Sequence, residues 1–229
     1  MKPLVAFYQS SIGKKWIVAL TGVVLVLFVI GHMLGNLQIF LGQEVINVYA
    51  EKLQSLGDLL WVIRGFLIVV IVTHIVTTVR LAIESAAARP QKYAVKKNIA
   101  ATTAAKTMLM SGLILISFII YHILQFTAQT TDPEWRNWHD AAGRHDVYSM
   151  MIAAFQSPLV SGFYILSVFL LCLHMSHGIQ SFLQTLGGRT RGFAPAMSKA
   201  SVVIAWLTFL GYASIPAAVL LGFLTLKGH

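Results

Sequence analysis

Long apolar runs separated by short polar stretches dominate the hydropathy pattern of the chain. Each run exceeds the roughly 20 residues that a helix needs to cross a bilayer. The pattern therefore predicts an all-α membrane protein with five transmembrane helices in a single integral membrane domain, residues 1–229. The predicted spans are about 14–41, 59–84, 106–129, 158–186 and 197–226. The first run is longer than the apolar region of a cleavable signal peptide, about 7–15 residues, so we expect it to be retained.

Basic residues concentrate on one side of the predicted membrane. Of the 17 Lys and Arg residues, 12 fall in the N-terminal arm and in the second-to-third and fourth-to-fifth connections. They are Lys2, Lys14, Lys15, Arg80, Arg89, Lys92, Lys96, Lys97, Lys106, Arg189, Arg191 and Lys199. Because positively charged connections stay on the cytoplasmic side, this bias predicts a cytoplasmic N-terminus in a multi-pass protein.

Composition excludes several functional classes. Only 11% of the residues are charged, whereas a soluble domain carries about 25%. The single cysteine, Cys172, excludes a disulfide framework, a CxxCH haem attachment and a thiolate metal cluster. The net charge of +9 follows from the one-sided Lys and Arg residues. We therefore expect no nucleic-acid binding, although a basic inner face also suits docking of a soluble partner.

The second connection on the predicted outer side is rich in aromatic and histidine side chains. It reads TDPEWRNWHDAAGRHDVYSMMIAAFQSP and contains Trp135, Trp138, His139, His145 and Tyr148. Two interpretations are open: an aromatic belt at the membrane interface, or a lid over a site near the outer surface.

Histidines occur in four of the five predicted spans, where ionisable side chains are rare and usually functional. The helical rise places His32 and His122 roughly 24–27 Å from the predicted inner interface. His74 lies about 9 Å, and His174 and His177 roughly 14–18 Å, from the inner ends of their own spans. The spacing predicts two pairs at two depths. His32 pairs with His122 near the outer side, and His74 pairs with His174 or His177 nearer the inside.

Two imidazole pairs stacked across a membrane suit two bis-histidine b-type haems. Isolated zinc or copper ions fit less well, because paired histidines without carboxylate or thiolate companions make sparse sites. A proton relay is another alternative, but the interiors of the predicted spans lack the carboxylates that such relays use.

A weak internal sequence repeat relates the first and third spans. In both, a hydroxyl residue and a glycine precede a histidine, and the glycine is Gly22 before His32 and Gly112 before His122. The spacing of ten residues is nearly three helical turns, so glycine and histidine share one helix face. A glycine on that face admits either a bulky flat group or another helix.

Three segments resemble the single-subunit, five-helix, dihaem cytochrome b membrane anchors of succinate dehydrogenases and fumarate reductases. They read SSIGKKWIVALTGVVLVLFVIGHMLGNLQIFLG, VTHIVTTVR and HMSHGIQSFLQTLG. The resemblance implies that the first four spans form a haem-binding bundle with two haem b groups and a quinone site, menaquinone being the expected quinone. It also implies a flavoprotein (FAD) subunit and an iron–sulfur subunit on the cytoplasmic face of a bacterial inner membrane.

The resemblance also implies which fourth-span histidine is an axial ligand. The family pairs first-span with third-span and second-span with fourth-span histidines, as the depths predict. Its fourth-helix motif places one glycine four residues, and another thirteen residues, after the ligand. His174, Gly178 and Gly187 match this motif. His177 does not match and stays the alternative to His174.

Charged residues near the two levels are further candidates. In the family, a glutamate in or near the first outer connection accepts a proton from menaquinol, and Glu51 is our candidate, against a surface carboxylate without such a role. Arg80 and Lys106 inside, and Arg64 outside, are candidates to pair with haem propionates. Snorkelling and the positive-inside rule account for these three residues equally well.

Two other functions stay open at this stage. One is the dihaem cytochrome b subunit of a membrane hydrogenase or formate dehydrogenase. The other is a non-redox transporter whose histidines line a polar path. Haem content separates the transporter from both cytochromes, and the identity of co-purifying subunits separates the cytochromes from each other.

Overall fold

The structure is a computed structural model that describes residues 2–88, 103–188, 190 and 192–226. Within these residues the fold is all-helical. The helices are α1 (Lys2–Gln9), α2 (Ser11–Asn36), α3 (Gln43–Gln54), α4 (Asp58–Ala87), α5 (Thr103–His122), α6 (Val147–Gln156), α7 (Pro158–Thr185) and α8 (Ala194–Leu220). Short 3₁₀ helices occupy Leu37–Leu41 and Pro133–Asn137, and a π-helical turn occupies Ile123–Thr127.

Five helices are long and apolar enough to cross a membrane, which confirms the predicted number of spans. The candidate spans are Ser11–Leu41, Asp58–Ala87, Met110–Thr127, Pro158–Thr185 and Ala194–Leu220. The fifth helix ends at Leu220 instead of near residue 226, because the chain turns at Gly222, whose φ is 78°. This conformation is accessible to glycine and strained for most other residues.

The spanning helices pack in two pairs, α2 against α4 and α5 against α7. Helix α2 also packs against α7 and so joins the pairs, while α8 packs along α7. Large apolar side chains point away from the bundle, including Leu59, Val62 and Val69 of α4 at 55%, 66% and 63% exposure. Such a surface suits lipid. The space between the two pairs forms a cavity.

One end of the bundle carries α1, the beginning of α2 and the end of α4, and we call it the α1 end. Lys14 of α2 is 5% exposed and forms an ion pair with Glu84 of α4. Arg80 of α4 donates a hydrogen bond to Tyr8 Oη of α1 at 2.9 Å. These contacts attach α1 and α2 to α4. The short helix α1 has no counterpart in the sequence prediction, because it is far below spanning length.

The opposite end is covered by α3, α6 and the connection that precedes α6, and we call it the capped end. The chain turns into α3 at Gly42, whose φ of 105° favours glycine. Asp146, 1% exposed, accepts hydrogen bonds from Asn47 Nδ2 at 3.0 Å, Gln43 Nε2 at 2.8 Å and Ser149 Oγ at 2.6 Å. This carboxylate therefore joins α3 to the N-terminus of α6.

The aromatic connection before α6 folds over the bundle. Trp135 is 4% exposed and stacks on Phe126 with ring centroids 6.2 Å apart. A single β-bridge pairs the backbones of His139 and His145. Of the two interpretations left open by the sequence, this arrangement has the form of a lid, since Trp135 packs inward instead of facing lipid.

Candidate cofactor site

A cavity of about 2090 Å³ lies between the two helix pairs. Ligand pockets usually measure about 300–1,000 Å³, so this space can hold more than one sizeable group. Lys15 lines it near the α1 end and His145 lines it at the capped end, so the cavity extends along the bundle. The wall includes all five histidines that the sequence placed in the spans: His32, His74, His122, His174 and His177.

The pair nearer the capped end consists of His32 on α2 and His122 on α5. Their ring centroids are 5.8 Å apart and their planes are inclined by 80°. A metal bonded at about 2 Å to one nitrogen of each ring needs centroids roughly 6 Å apart. The spacing therefore suits one metal held by both rings. Phe28 stacks on His32 with centroids 5.4 Å apart, which restrains that ring.

His74 on α4 and His174 on α7 form the other pair, and each faces a glycine of the neighbouring helix. A Cβ atom added at Gly22 of α2 would lie 3.6 Å from His74 Cε1. A Cβ added at Gly112 of α5 would lie at the same distance from His174 Cε1. Both imidazoles line the cavity. The two helix pairs thus repeat one local arrangement.

The two histidine pairs lie at different heights. His32 follows Gly22 by ten residues on α2, and His122 follows Gly112 by ten residues on α5. At 1.5 Å per residue, each separation is about 15 Å along its helix. Because the glycines mark the level of His74, the second pair lies about 15 Å nearer the α1 end than the first.

Hydroxyl groups orient the imidazoles of the second pair. Thr21 Oγ1 lies 3.0 Å from His74 Nδ1 and donates its proton to the carbonyl four residues earlier in α2, at 2.7 Å. Ser111 Oγ lies 3.4 Å from His174 Nδ1 and donates to the carbonyl three residues earlier in α5, at 3.1 Å. Because each hydroxyl has a backbone carbonyl to receive its own proton, its oxygen can accept from the ring. This arrangement suits the tautomer that carries its proton on Nδ1 and has a free lone pair on Nε2.

For His122, the hydroxyl partner of Nδ1 comes from a tyrosine. Tyr164 Oη lies 3.4 Å from His122 Nδ1 and donates to Gln125 Oε1 at 2.8 Å. Tyr164 and Gln125 are buried, at 6% and 2% exposure. Metal-ligating histidines usually donate their second ring N–H to such a partner, which fixes the tautomer that leaves Nε2 to the metal. Sequence reasoning missed Tyr164 and Gln125, because neither stands in a recognisable motif.

His177 and Gly178 also line the cavity, one turn further along α7 than His174. His177 forms no hydrogen bond with any residue that the structure describes. The space around a Cβ added at Gly178 is open to 4 Å. Only His174 has the hydroxyl and glycine partners that His74 has, and this likeness favours His174 as the counterpart of His74.

The donor set decides which kind of metal group the histidines could hold. Within the described ranges, no three His, Cys, Asp or Glu side chains converge on one point. A bare zinc ion takes at least three protein ligands in most sites. Two imidazoles at each level suffice only for a metal whose other ligands come with the cofactor, as in a haem. The ring spacing of His32 and His122 fits such a group, and His74 and His174 each place an imidazole on the cavity wall at the other level.

The three basic candidates lie in different surroundings. Arg64 lines the cavity ten residues before His74, about 15 Å nearer the capped end, which is the level of the first pair. Arg80 is bound to Tyr8 outside the cavity wall. The side chain of Lys106 lies outside the described residues. Arg64 is therefore the candidate that the fold brings to a histidine level.

The connection between the first two spans forms helix α3, and both of its glutamates are exposed. Glu44 pairs with Arg144 across 3.6 Å, with its own side chain 81% exposed. Glu51 lies on the exposed face of α3 and is not part of the cavity wall. Its assignment to proton transfer stays a prediction. The polar residues that do line the capped end of the cavity include Gln129, which the sequence did not single out, and His145.

Comparison of the chain with protein-family models, curated proteins and solved structures finds no match. The cavity, its histidines and the motifs in the sequence are therefore the features that point to a function.

Proposed function

We propose that the chain is the dihaem cytochrome b anchor of a succinate:quinone oxidoreductase. In this role it passes electrons between an iron–sulfur subunit and membrane quinone, with menaquinone as the expected type. The observation that carries the proposal is the set of four cavity-lining imidazoles at two levels, of which three have a hydroxyl partner at Nδ1. The five apolar helices and the motif resemblance support the same function.

The chain's residues have distinct roles in this proposal. His32 and His122 would hold one haem b, and His74 and His174 the other, with His177 as the alternative to His174. Thr21, Ser111 and Tyr164 hold the rings in the ligating tautomer, and Gly22 and Gly112 keep Cβ atoms away from His74 and His174. When bound, the haems would supply one-electron transfer between the two levels.

The one-sided distribution of basic residues supports a cytoplasmic α1 end and an outer capped end in a bacterial inner membrane. The flavoprotein and iron–sulfur subunits would then dock at the α1 end and carry out the dicarboxylate chemistry. Lipid would surround the exposed apolar faces of the spanning helices.

Difference spectra of the purified protein test this function. Reduced-minus-oxidised spectra should show b-type α-bands and two haems per chain. A preparation expressed with adequate haem supply that contains no haem would contradict the proposal and favour the transporter. Covalent flavin in a co-purifying subunit supports the succinate assignment, whereas a hydrogenase or formate dehydrogenase partner would replace it.

The hydroxyl partners should control how tightly the α1-end haem is held. Ser111→Ala and Thr21→Val each remove the acceptor of one histidine N–H while leaving the axial nitrogen in place. Loss of such a partner typically weakens metal binding 10–100-fold. We expect haem transfer to excess apomyoglobin from this level to become about 10-fold faster.

Ser117→Ala is the matched control for the serine variant. Ser117 lies on the same helix, is exposed, and contacts only a backbone carbonyl of its own helix. It should release haem at the wild-type rate. Equal release rates in Ser111→Ala and Ser117→Ala would show that the hydroxyl does not support the ligand.

A further inference from the structure

Gln129 has an unusual backbone conformation at the capped end of the cavity. Its φ is 48°, the one positive value for a non-glycine residue in the described part of the chain. The residue follows the π-helical turn, where a left-handed conformation usually selects glycine or asparagine. Strain of this kind tends to persist where the side chain has a use. The Gln129 side chain is 9% exposed and lines the cavity.

The hydrogen bonds around Gln129 fix both its amide and the imidazole of His145. His145 Nδ1 lies 3.2 Å from the carbonyl of Trp138 and must donate to it, because a carbonyl only accepts. His145 Nε2 is then an acceptor in the neutral ring, and Gln129 Nε2 donates to it at 2.9 Å. The same amide nitrogen donates to Met150 Sδ at 3.2 Å.

The Gln129 side chain keeps one hydrogen-bond acceptor without a partner among the described residues. Both protons of the Gln129 amide have partners, but its carbonyl oxygen has no hydrogen bond with the described residues. The cavity thus contains, side by side, a free amide oxygen and an imidazole nitrogen whose lone pair is engaged only by a neighbouring amide. A ligand hydroxyl can donate to the Gln129 oxygen as it stands, and it reaches His145 Nε2 by replacing the Gln129 N–H, because a neutral imidazole has one acceptor nitrogen.

The wall around these polar groups is apolar and aromatic. Phe126, Met151, Phe155 and Tyr164 line the same region of the cavity. Gln129 lies seven residues after His122, so the polar groups lie between the first histidine pair and the capped end. An apolar pocket with a few converging polar groups is typical of a site for a flat, mostly apolar ring that carries oxygen atoms.

We propose that Gln129 and His145 bind the oxygen-bearing ring of a quinone at the capped end of the cavity, and that His145 exchanges the quinone's protons with the aqueous phase. The proposal rests on the proposed function, which makes quinone the electron partner. It assigns to His145 the proton transfer that the sequence resemblance suggested for the exposed Glu51.

Quinone reduction and quinol oxidation both balance in electrons and protons. Reduction of one quinone to a quinol consumes two electrons and two protons, and oxidation returns them. The electrons would come from, or pass to, the dicarboxylate couple that the proposed function places on the partner subunits. Each proton forms or breaks one ring O–H bond and passes through His145 Nε2, one after the other, with the Gln129 N–H moving off that nitrogen while it carries the proton.

His139 extends this path to the surface. Its ring centroid lies 6.5 Å from that of His145, and the His139 side chain is exposed. One water can bridge such a gap. The neighbouring charges are engaged elsewhere: Asp140 pairs with Arg144 at 2.8 Å, and Arg136 donates to the Ala128 carbonyl at 2.6 Å. The exposure of the side chains thus rises from Gln129 through His145 to His139.

The first test uses the His145→Asn variant of the whole complex. Asparagine keeps an N–H near the position of Nδ1 and can still donate to Trp138, but it cannot take up a proton. General acid–base groups contribute about 10²–10⁴-fold. We expect kcat for quinone turnover to fall about 100-fold, with a much smaller rise in KM from the lost contact. Haem content and dicarboxylate-driven reduction of a soluble dye should stay at wild-type values.

The second test measures binding without turnover. Gln129→Asn tolerates the left-handed backbone but withdraws the amide by about 1.5 Å. In equilibrium dialysis we expect its Kd for 2-hydroxy-1,4-naphthoquinone to rise about 10-fold. Gln156→Asn, the same change at an exposed position outside the cavity wall, should bind like wild type.

The outcomes separate this site from the overall function. Wild-type quinone turnover by His145→Asn, or unchanged naphthoquinone binding by Gln129→Asn, would overturn the site while haem and dye activity remain. If instead the wild-type protein holds no haem or supports no dicarboxylate oxidation, the proposed function fails. In that case, naphthoquinone binding to the chain alone, measured by dialysis, tests the quinone site independently.

Discussion

Replacing His174 by alanine should remove one haem and leave the other. The substitution deletes the imidazole that faces Gly112 and Ser111, so a metal at the α1-end level would keep only His74. We expect the haem content to fall from two to one per chain and the b-type α-band to lose about half its amplitude. Quinone turnover should fall by more than about 100-fold, because in the proposed function electrons would cross this level before they reach the capped end.

His177→Ala is the matched control, since it removes the same side chain from the same wall of the cavity. His177 lacks the hydroxyl and glycine partners, so this variant should retain both haems and most of its turnover. Dye reduction by the partner subunits should be unaffected in both variants. Loss of haem from His177→Ala with retention in His174→Ala would reverse the assignment of the fourth-span ligand.

Asp146→Ala should loosen the cap over the cavity. Asp146 accepts hydrogen bonds from α3 and also caps α6 through Ser149. Its loss leaves the Gln43 and Asn47 amides without this acceptor in a buried place, and hydrogen bonds to a charged group are worth about 1.5–3 kcal/mol each. We expect the free energy of opening of α3 and α6, measured by hydrogen exchange in detergent, to fall by about 3–5 kcal/mol.

The same carboxylate should make cap stability depend on pH. Burial alone raises the pKa of Asp146, but hydrogen bonds from Ser149, Asn47 and Gln43 outweigh this effect and hold the pKa below its usual range. A lowered folded-state pKa means that the stabilisation is complete above the unfolded value of about 3.9 and is lost as the pH falls further. Cap opening in wild type should therefore become easier below about pH 4.

Asp132→Ala is the control for this experiment. The Asp132 side chain forms no hydrogen bond with the described residues, so its removal should change the opening free energy of the cap very little. Asp146→Ala should also show a weaker acid dependence than wild type, with the remainder due to Asp140, whose pKa is lowered in the same way. Equal opening energies in Asp132→Ala and Asp146→Ala would contradict the proposed role of the carboxylate.

Much of the transmembrane region could be predicted from the sequence, but the cap could not. The spans are visible because each helix needs a long apolar run, whatever its neighbours are. Helices α1, α3 and α6 are short, and the connection before α6 gains its structure from distant partners. The bonds from Asn47 to Asp146 and from Gln129 to His145 join residues that no local pattern relates.

The repeat shared by the first and third spans could be interpreted only in part from the sequence. The sequence indicates that Gly22 shares a helix face with His32, and Gly112 with His122. It does not indicate that each hydroxyl–glycine pair receives a histidine from another helix. That contact requires α2 to pack on α4 and α5 on α7, with the correct rotation of each helix about its own axis.

The sequence by itself determined the five apolar helices, the four histidine-bearing spans and the two depths, because the rise per residue of a helix is a local constant. Only the tertiary structure decided which imidazoles have hydroxyl partners at Nδ1 and which polar groups line the capped end. His174 and His177 are about 60° apart around α7. Packing against α5, and no property of α7 alone, gives His174 the partners that His177 lacks.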